Sequence, residues 1–339
     1  MTGDRRLPLI SVVIPAYNAQ DTIADTLRSV QAQTHDALEI IVVDDGSRDD
    51  TARIIGEFAA ADPRFRHVLQ ENAGVAAARN NGWRQASSDL IAFVDADDLW
   101  TRDKIERQLA VLSEAGPRVG LVYSRYVMID GDNRVTYRDD SPKFSGNVLD
   151  ALLISNFIGN GSAALVRREA LEAANGYEPA LFAAGAQGCE DILFYCRVAE
   201  HYEFAVVEDY QIGYRQLPDA MSANLPRMLR SWTMVLDEML AKYPQKKKLV
   251  RKGLRTYANW AVRRAVHRRQ PATVLELARL VAKRSPGLAT GMLLRTAPAA
   301  ALDSLLWRLP IRGKARRRKP APAAAADTLR FPVGSRFEG

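Results

Sequence analysis

The chain has 339 residues, of which 47% are hydrophobic and 26% charged. That balance belongs to a folded globular protein and excludes collagen-like, mucin-like and acidic-tail polymers. The length fits one large domain with a smaller appendage. Only two cysteines occur, Cys189 and Cys196, too few for a disulfide framework or a structural zinc site, so a reducing compartment is expected. The net charge of +7 is segregated: about 21 Lys and Arg stand against about 34 Asp and Glu up to Asn224, and about 26 against about 6 from Leu225 onward. The break predicts three regions, an acidic domain over 1–225, a basic helical region over 226–310 and a disordered Pro/Ala tail over 311–339. No apolar run reaches membrane-spanning length, and Met1–Arg6 lacks signal-peptide character. A cytoplasmic protein is expected.

In chain order, Leu9–Ile14 is a β-branched strand ended by Pro15. A helix follows on the spacing of Ile23, Leu27 and Val30. Glu39–Val43 is a second strand, closed by the turn Asp44-Asp45-Gly46-Ser47, after which Asp49 or Asp50 caps a helix containing Ile54, Ile55 and Phe58. Phe65–Leu69 is a third strand. Asn72 and Gly74 break the chain before an alanine-rich helix, Val75–Ala86. Leu90–Val94 is a fourth strand, followed by Asp95-Ala96-Asp97-Asp98, and Val119–Tyr123 is a fifth. Strands alternating with helices at this spacing predict an α/β fold with a mostly parallel sheet. Polar groups then collect at the carboxyl ends of the strands, where Pro15–Asn18, Asp44–Ser47 and Asp95–Asp98 all fall.

Three acidic clusters each carry two readings. Asp95 and Asp97 can chelate one Mg²⁺ or Mn²⁺ through oxygen, or they can form a solvated turn capping the next helix. Asp44 and Asp45 can accept hydrogen bonds from a base or ribose, or they can close an Asx-turn with Gly46. Glu190 and Asp191 open an apolar helix, where a carboxylate is either a cap favoured by the helix dipole or an ionised general base. Dinucleotide and P-loop glycine signatures are absent, which excludes those chemistries. The four histidines show neither metal-ligand spacing nor a nucleophile triad.

In their order and spacing these segments resemble the family 2 glycosyltransferases of the GT-A fold. The resemblance rests on Ser11-Val-Val-Ile-Pro-Ala-Tyr-Asn18, Ile41-Val-Val-Asp-Asp-Gly-Ser47, Glu71-Asn-Ala-Gly74 with Arg79-Asn-Asn-Gly82, and Phe93-Val-Asp-Ala-Asp-Asp-Leu-Trp100. It continues through Gly161–Val166, Gly176-Tyr177, Glu190-Asp191 and Tyr214-Arg215 to Met221-Ser222. The resemblance implies that Asp45 meets the nucleotide base in a pocket shaped by Asp44, Pro15, Ala16 and Tyr17. It implies that Asp95 and Asp97 meet ribose and a Mg²⁺ or Mn²⁺ ion, and that Arg79 and Arg215 lie near the donor phosphates. Asp191 is then the catalytic base, with Glu190 beside it. The Gln-x-x-Arg-Trp segment of processive synthases is missing; Gln211–Arg215 matches it only loosely. The expected activity is metal-dependent transfer of one sugar, with inversion, from a nucleotide-sugar to a glycan or lipid-linked acceptor during surface polysaccharide synthesis. A sugar-nucleotidyltransferase and an inactive membrane-associated scaffold are the alternatives.

From Arg227 on, Met228, Leu229, Trp232, Val235, Leu236, Met239 and Leu240 share one helical stripe suited to packing on the acidic domain. Leu249–Arg269 and Thr273–Lys283 repeat the pattern with arginines outside it, and Pro298 interrupts a further segment ending at Leu305–Leu309. The surplus charge, including Lys314–Lys319, suits peripheral attachment to the anionic inner face of a membrane. No aromatic platform or groove-reading motif accompanies it, so nucleic acid is not expected as a partner.

Overall fold

A computed structural model of the protein describes residues 7–217, 221–306, 329–335 and 337. The first half alternates β1 (Ile10–Ala16), α1 (Ile23–Gln31), β2 (Leu38–Asp44), α2 (Thr51–Ala61), β3 (Phe65–Leu69), α3 (Val75–Gln85) and β4 (Leu90–Phe93). A short β5 (Leu99–Trp100), α4 (Lys104–Ala115), a long β6 (Val119–Ile129) and β7 (Val135–Arg138) follow. Next come α5 (Leu149–Leu152), β8 (Ala164–Arg167), α6 (Arg168–Ala173), α7 (Ala180–Ala183), α8 (Glu190–Ala199) and β9 (Glu203–Arg215). The chain then turns wholly helical, with α9 (Leu225–Lys242), α10 (Lys247–His267), α11 (Pro271–Ala282), α12 (Pro286–Gly291) and α13 (Ala297–Leu306).

Among the described residues nine strands form one sheet in the order β3-β2-β1-β4-β8-β6-β9-β5, with β7 flanking β6. The α/β expectation holds, and the parallel part is β3-β2-β1-β4 plus β6-β9, while β8 runs antiparallel to both β4 and β6. The reason is connection length: β-α-β crossovers return parallel strands, and β8 enters from a long loop free to run the other way. β1 is buried at every residue, as a β-branched central strand should be. Gly82 of α3 lies so close to β1 that a Cβ there would strike Val13, and this contact sets α3 against the sheet.

The helical half is docked, not tethered. Leu225, Leu229, Trp232, Val235, Leu236 and Met239 of α9 are buried, and Arg197 of α8 reaches Glu238 of α9 through two bonds of 2.8 and 2.9 Å. Trp232 stacks on Tyr257 of α10 at 5.5 Å between ring centres. Pro298 does not end its helix. A wide π turn, Met292–Thr296, precedes it and absorbs the missing N–H of the proline.

The expectation of a disordered tail over 311–339 is corrected for its last part. Phe331 is 1% exposed against Leu99, Val127, Ile129 and Val135, and its N–H donates to the Asn133 carbonyl at 2.8 Å. The ring fills an apolar slot between β5, β6 and β7 and stacks on Phe337, and Val135 N–H donates to the Leu329 carbonyl, so side chains and backbone together fix this segment. Trp307, Leu309 and Lys314–Lys319 lie outside the described residues.

Candidate functional site

The carboxyl ends of β1, β2 and β4 are adjacent because β1 pairs with both others. The Asp45 N–H closes the rim by donating to the Ala16 carbonyl at 2.8 Å. Pro15 and Ala16 end β1 inside the sheet, while Tyr17 projects with 48% of its surface exposed. Asp44 forms the Asx-turn, its Oδ1 accepting from Ser47 N at 2.9 Å. The Asp45 carboxylate is taken up by the loop after β3: Oδ1 accepts from Gln70 Nε2 and Ala73 N, and Oδ2 from Asn72 Nδ2 and Gly74 N, at 2.7–3.2 Å. Four donors fill a carboxylate's capacity. Asp45 thus holds the 70–74 loop, whose end, Gly74, starts α3 in the left-handed region with φ 89°.

α3 carries Arg79 to the centre of the site. Arg79 is 4% exposed and pairs with Asp95 Oδ1. Its guanidinium also lies 5.0 Å from the centre of the Tyr177 ring. Burial works against its charge, but Asp95 and, more remotely, Asp191 hold its proton firmly above the ordinary arginine range. Gly161 makes the pair possible, because a Cβ there would land on Arg79 Nη2 and within 3.1 Å of Asp95 Oδ2.

The turn after β4 is an acid-rich knot braced by Ser162. The Ser162 Oγ accepts from Asp95 N at 2.9 Å and donates to Asp98 Oδ2 at 2.5 Å. Asp98 is fully buried, and its Oδ1 accepts from Arg215 N at 2.9 Å. Burial pushes the Asp98 carboxyl well up, with Asp97 and Asp95 adding to the effect. Burial, then the charge of Asp95, push Asp97 up to about 6, against the pull of Arg215 and Arg79. Arg215 itself anchors the turn, Nε donating to the Asp97 carbonyl at 2.7 Å and Nη1 to the Asp130 and Gly131 carbonyls at 3.3 and 3.1 Å. Its buried Nη2 has no partner among the described residues.

Among the described residues no three His, Cys, Asp or Glu side chains are grouped to hold a metal. Asp95 and Asp97 alone fit a hard divalent cation of the Mg²⁺ type, which binds through one or two carboxylates and completes its shell with substrate phosphates and water. Two acids crowded into one turn, with Asp97 pushed up by burial and by the charge of Asp95, are the donor set such a cation relieves.

Asp191 sits in the first turn of α8. Burial raises its carboxyl pKa; the charge of Arg79 opposes this, as do bonds from Ile192 N and from Asn156. Asn156 Nδ2 donates to Asp191 Oδ2 at 3.1 Å, while Asn156 Oδ1 accepts from Gly159 N at 2.9 Å. Glu190 is 4% exposed, and its Oε2 accepts from Gly188 N at 2.8 Å. It closes the turn that leads into α8. Arg79, Asp95, Asp97, Asp191 and Glu190 are thus brought to one region, and Asp44 and Asp45 to its β1–β2 end. Sequence reasoning missed Asn156, Gly161, Ser162 and the bracing role of Asp98. Asn156 sits in a loop with no pattern of its own, whereas Gly161-Ser162 lay within a quoted motif without an assigned job.

A family model described as "Glycosyl transferase family 2" matches residues 11–174. Over these residues the chain is similar to glycosyl transferase family 2. The putative teichuronic acid biosynthesis glycosyltransferase TuaG of Bacillus subtilis is 45% identical over 108 residues, 32% of this chain and 43% of that protein. The UDP-Glc:alpha-D-GlcNAc-diphosphoundecaprenol beta-1,3-glucosyltransferase WfgD of Escherichia coli is 36% identical over 128 residues, 38% of this chain and 49% of that one. The matches therefore span less than half the length of either relative. In fold, the domain with its helices is similar to S. aureus TarS 1-349, solved with UDP-GlcNAc (TM-score 0.61, 16% identity, 87% of this chain and 89% of that one). It is also similar to the mannosyltransferase PcManGT of Pyrobaculum calidifontis, solved with GDP-Man and Mn2+ (TM-score 0.54, 21% identity, 90% and 89%). The GT-A fold followed by a helical C-terminal region is the fold of this chain.

Proposed function

We propose that the chain is an inverting glycosyltransferase that moves one sugar from a nucleotide-sugar to a hydroxyl of a glycan or lipid-linked acceptor in polysaccharide assembly. The observation that carries this reading is the buried Arg79, paired with Asp95 on one side and electrostatically linked to Asp191 on the other. A donor-phosphate cation and a candidate base thereby share one site. TarS and PcManGT, whose structures hold nucleotide-sugars, and WfgD, whose name specifies a diphosphoundecaprenol acceptor, support the substrate class.

In this reading residues 1–225 form the catalytic unit. Asp44, Pro15, Ala16 and Tyr17 line the base end, with Asp45 holding the 70–74 loop beside it. Asp95 and Asp97 would hold Mg²⁺ or Mn²⁺, which supplies positive charge for the diphosphate; the Mn2+ in PcManGT supports that choice. Arg79 and the unpartnered Nη2 edge of Arg215 add fixed cationic donors toward the same phosphates, already oriented before reaction. Asp191 accepts the proton of the acceptor hydroxyl as its oxygen attacks the anomeric carbon opposite the leaving group. One displacement inverts the configuration. A positioned base is worth about 10²–10⁴-fold.

The deciding experiment is transfer and donor hydrolysis across a panel of nucleotide-sugars, with Mn²⁺, Mg²⁺ or EDTA, for the full chain and for Asp97→Asn. Turnover with one donor that needs the ion and is lost in Asp97→Asn is the expected result. Full activity of Asp97→Asn in EDTA would remove the metal assignment, and no turnover with any donor would remove the enzyme.

A further inference from the structure

Among the described residues no helix is long and apolar enough to cross a membrane, yet the last helices leave apolar surface uncovered. Leu294 is 73% exposed, Leu302 56% and Leu305 60%. With Pro298 and Ala301, also exposed, they follow the spacing of one helix face. The opposite side of the same run is packed, with Met292 and Ala300 fully buried. From Pro286 to Leu306 the sequence has only two charges, Arg295 and Asp303, and Asp303 is paired with Arg263 of α10 at 3.4 Å.

That pair, together with the Thr296 Oγ1 bond to Asn259 Oδ1 at 2.9 Å, lays the apolar row beside a particular face of α10. Lys248, Lys252, Arg255, Asn259 and Arg263 are spaced along that face at three- and four-residue steps. Lys248, Arg251, Lys252 and Arg255 are exposed, and none is paired with a carboxylate among the described residues. The unpaired cations Lys248, Lys252 and Arg255 thus continue, toward the start of α10, the line on which Asn259 and Arg263 meet the uncovered leucine row.

We propose that this double row is a docking surface for an anionic lipid leaflet, with Leu294, Leu302 and Leu305 at the headgroup–acyl boundary and the α10 cations over the phosphates. The chemistry selects this occupant. A helix with an apolar stripe and a cationic flank lies in the interface plane of a charged bilayer. A second copy of the chain would set the same unpaired cations against one another. Nucleic acid would leave the leucines unrewarded. The sequence after α13 continues the same sign with Lys314-Ala-Arg-Arg-Arg-Lys319. The proposal stands independently of the transfer chemistry and gives the basic half a partner.

The test is co-sedimentation of the full chain with vesicles of phosphatidylcholine alone and with about one-third phosphatidylglycerol, at about 0.1 M and about 1 M salt, where the Debye length falls from about 10 to about 3 Å. Binding that requires the anionic lipid and falls with salt is expected. Each Lys or Arg near such a surface contributes about fivefold to partitioning, so Lys252→Gln with Arg255→Gln lowers it about 25-fold. Leu302→Ser with Leu305→Ser lowers it at least about tenfold. Circular dichroism and donor hydrolysis in solution, unchanged in both variants, show that the fold and the candidate site are intact. Three results overturn the proposal: equal binding to both vesicle types or to neither; wild-type binding by both double variants while a chain ending at Leu306 fails to bind; or a dimer that the leucine variant abolishes without any change in vesicle binding. Absence of donor hydrolysis by the wild-type chain, with vesicle binding as expected, would instead count against the transfer reading alone.

Discussion

At the scale of single residues, the proposed base chemistry depends on where Asp191 keeps its proton. Burial raises its pKa, so the acid limb of the transfer rate should lie above the ordinary aspartate range. A base must be ionised, and activity therefore rises with pH through that limb. Asp191→Asn keeps the shape but accepts no proton; turnover should fall by about 10²-fold or more while donor binding survives. Donor titration alongside single-turnover rates separates the two effects, and a dead Glu190→Gln beside an active Asp191→Asn would move the role to Glu190. Asn156 donates to the Asp191 carboxylate, which stabilises the anion. Replacing it by Leu should shift the acid limb of kcat/KM to higher pH, with rate recovered on the alkaline side. A uniform loss at every pH would instead mark Asn156 as a folding residue.

A second residue bears on stability. Lys104 is fully buried, its Nζ lies 3.6 Å above the Trp100 ring, and it has no hydrogen-bond partner among the described residues. Burial lowers its pKa well below that of a free lysine. The unfolded chain then binds the proton more tightly, and stability from this group rises as pH increases toward the free-lysine value of about 10.4. Lys104→Met fills similar volume without a buried amine, so it should raise the melting temperature at neutral pH. The gain should shrink as pH approaches 10. Thermal unfolding of both proteins at neutral pH and near pH 9.5 checks the sign; a lower melting temperature for the variant at both would show that the cation–ring contact outweighs desolvation.

At the scale of elements, the acid knot after β4 is held by pieces from three directions. Ser162 and Gly161 come from the turn before β8, Arg215 from the end of β9, and Arg79 from α3. The strand order β4-β8-β6-β9 brings the first two there. Gly161 is the tightest point. Gly161→Ala should displace Arg79 from Asp95 and lower kcat/KM by more than it lowers the melting temperature, because the added methyl strikes a side chain of the site. Steady-state kinetics set against thermal unfolding measures the split; equal loss of both would reduce Gly161 to a packing residue.

At the scale of the whole molecule, the two halves share one core. Gly253 of α10 faces the Leu153 carbonyl so closely that a Cβ would collide with it, and Trp232 Cζ2 would lie 3.3 Å away. Backbone cannot yield as a flexible side chain can. Gly253→Ala should destabilise the protein by about 1–3 kcal/mol, the usual cost of overpacking, and the loss should appear in the catalytic half as well. Chemical denaturation followed by Trp fluorescence and by donor binding would show coincident transitions. Separate transitions would mean that the helices unfold on their own.

The sequence by itself determined the first four strands, the helices between them, the carboxyl-end location of Asp44, Asp45, Asp95 and Asp97, and the start of the helical half near Leu225. These features are local: β-branched runs, turn residues and helical spacing are written within a few neighbours of each residue. It also carried the resemblance to glycosyl transferase family 2, because the motifs survive as contiguous words. Only the tertiary structure decided that β8 runs antiparallel and that Asn156 faces Asp191. Nor could the sequence show that Arg215 and Ser162 brace the acid turn, or that Phe331 returns to the sheet instead of belonging to a loose tail. Those facts depend on pairs of residues far apart in the chain, and no periodicity records them. The raised pKa of Asp97 and Asp191 belongs to the same class, since the burial that raises them, and the charge of Arg79 that opposes it, exist only once the chain has closed around them.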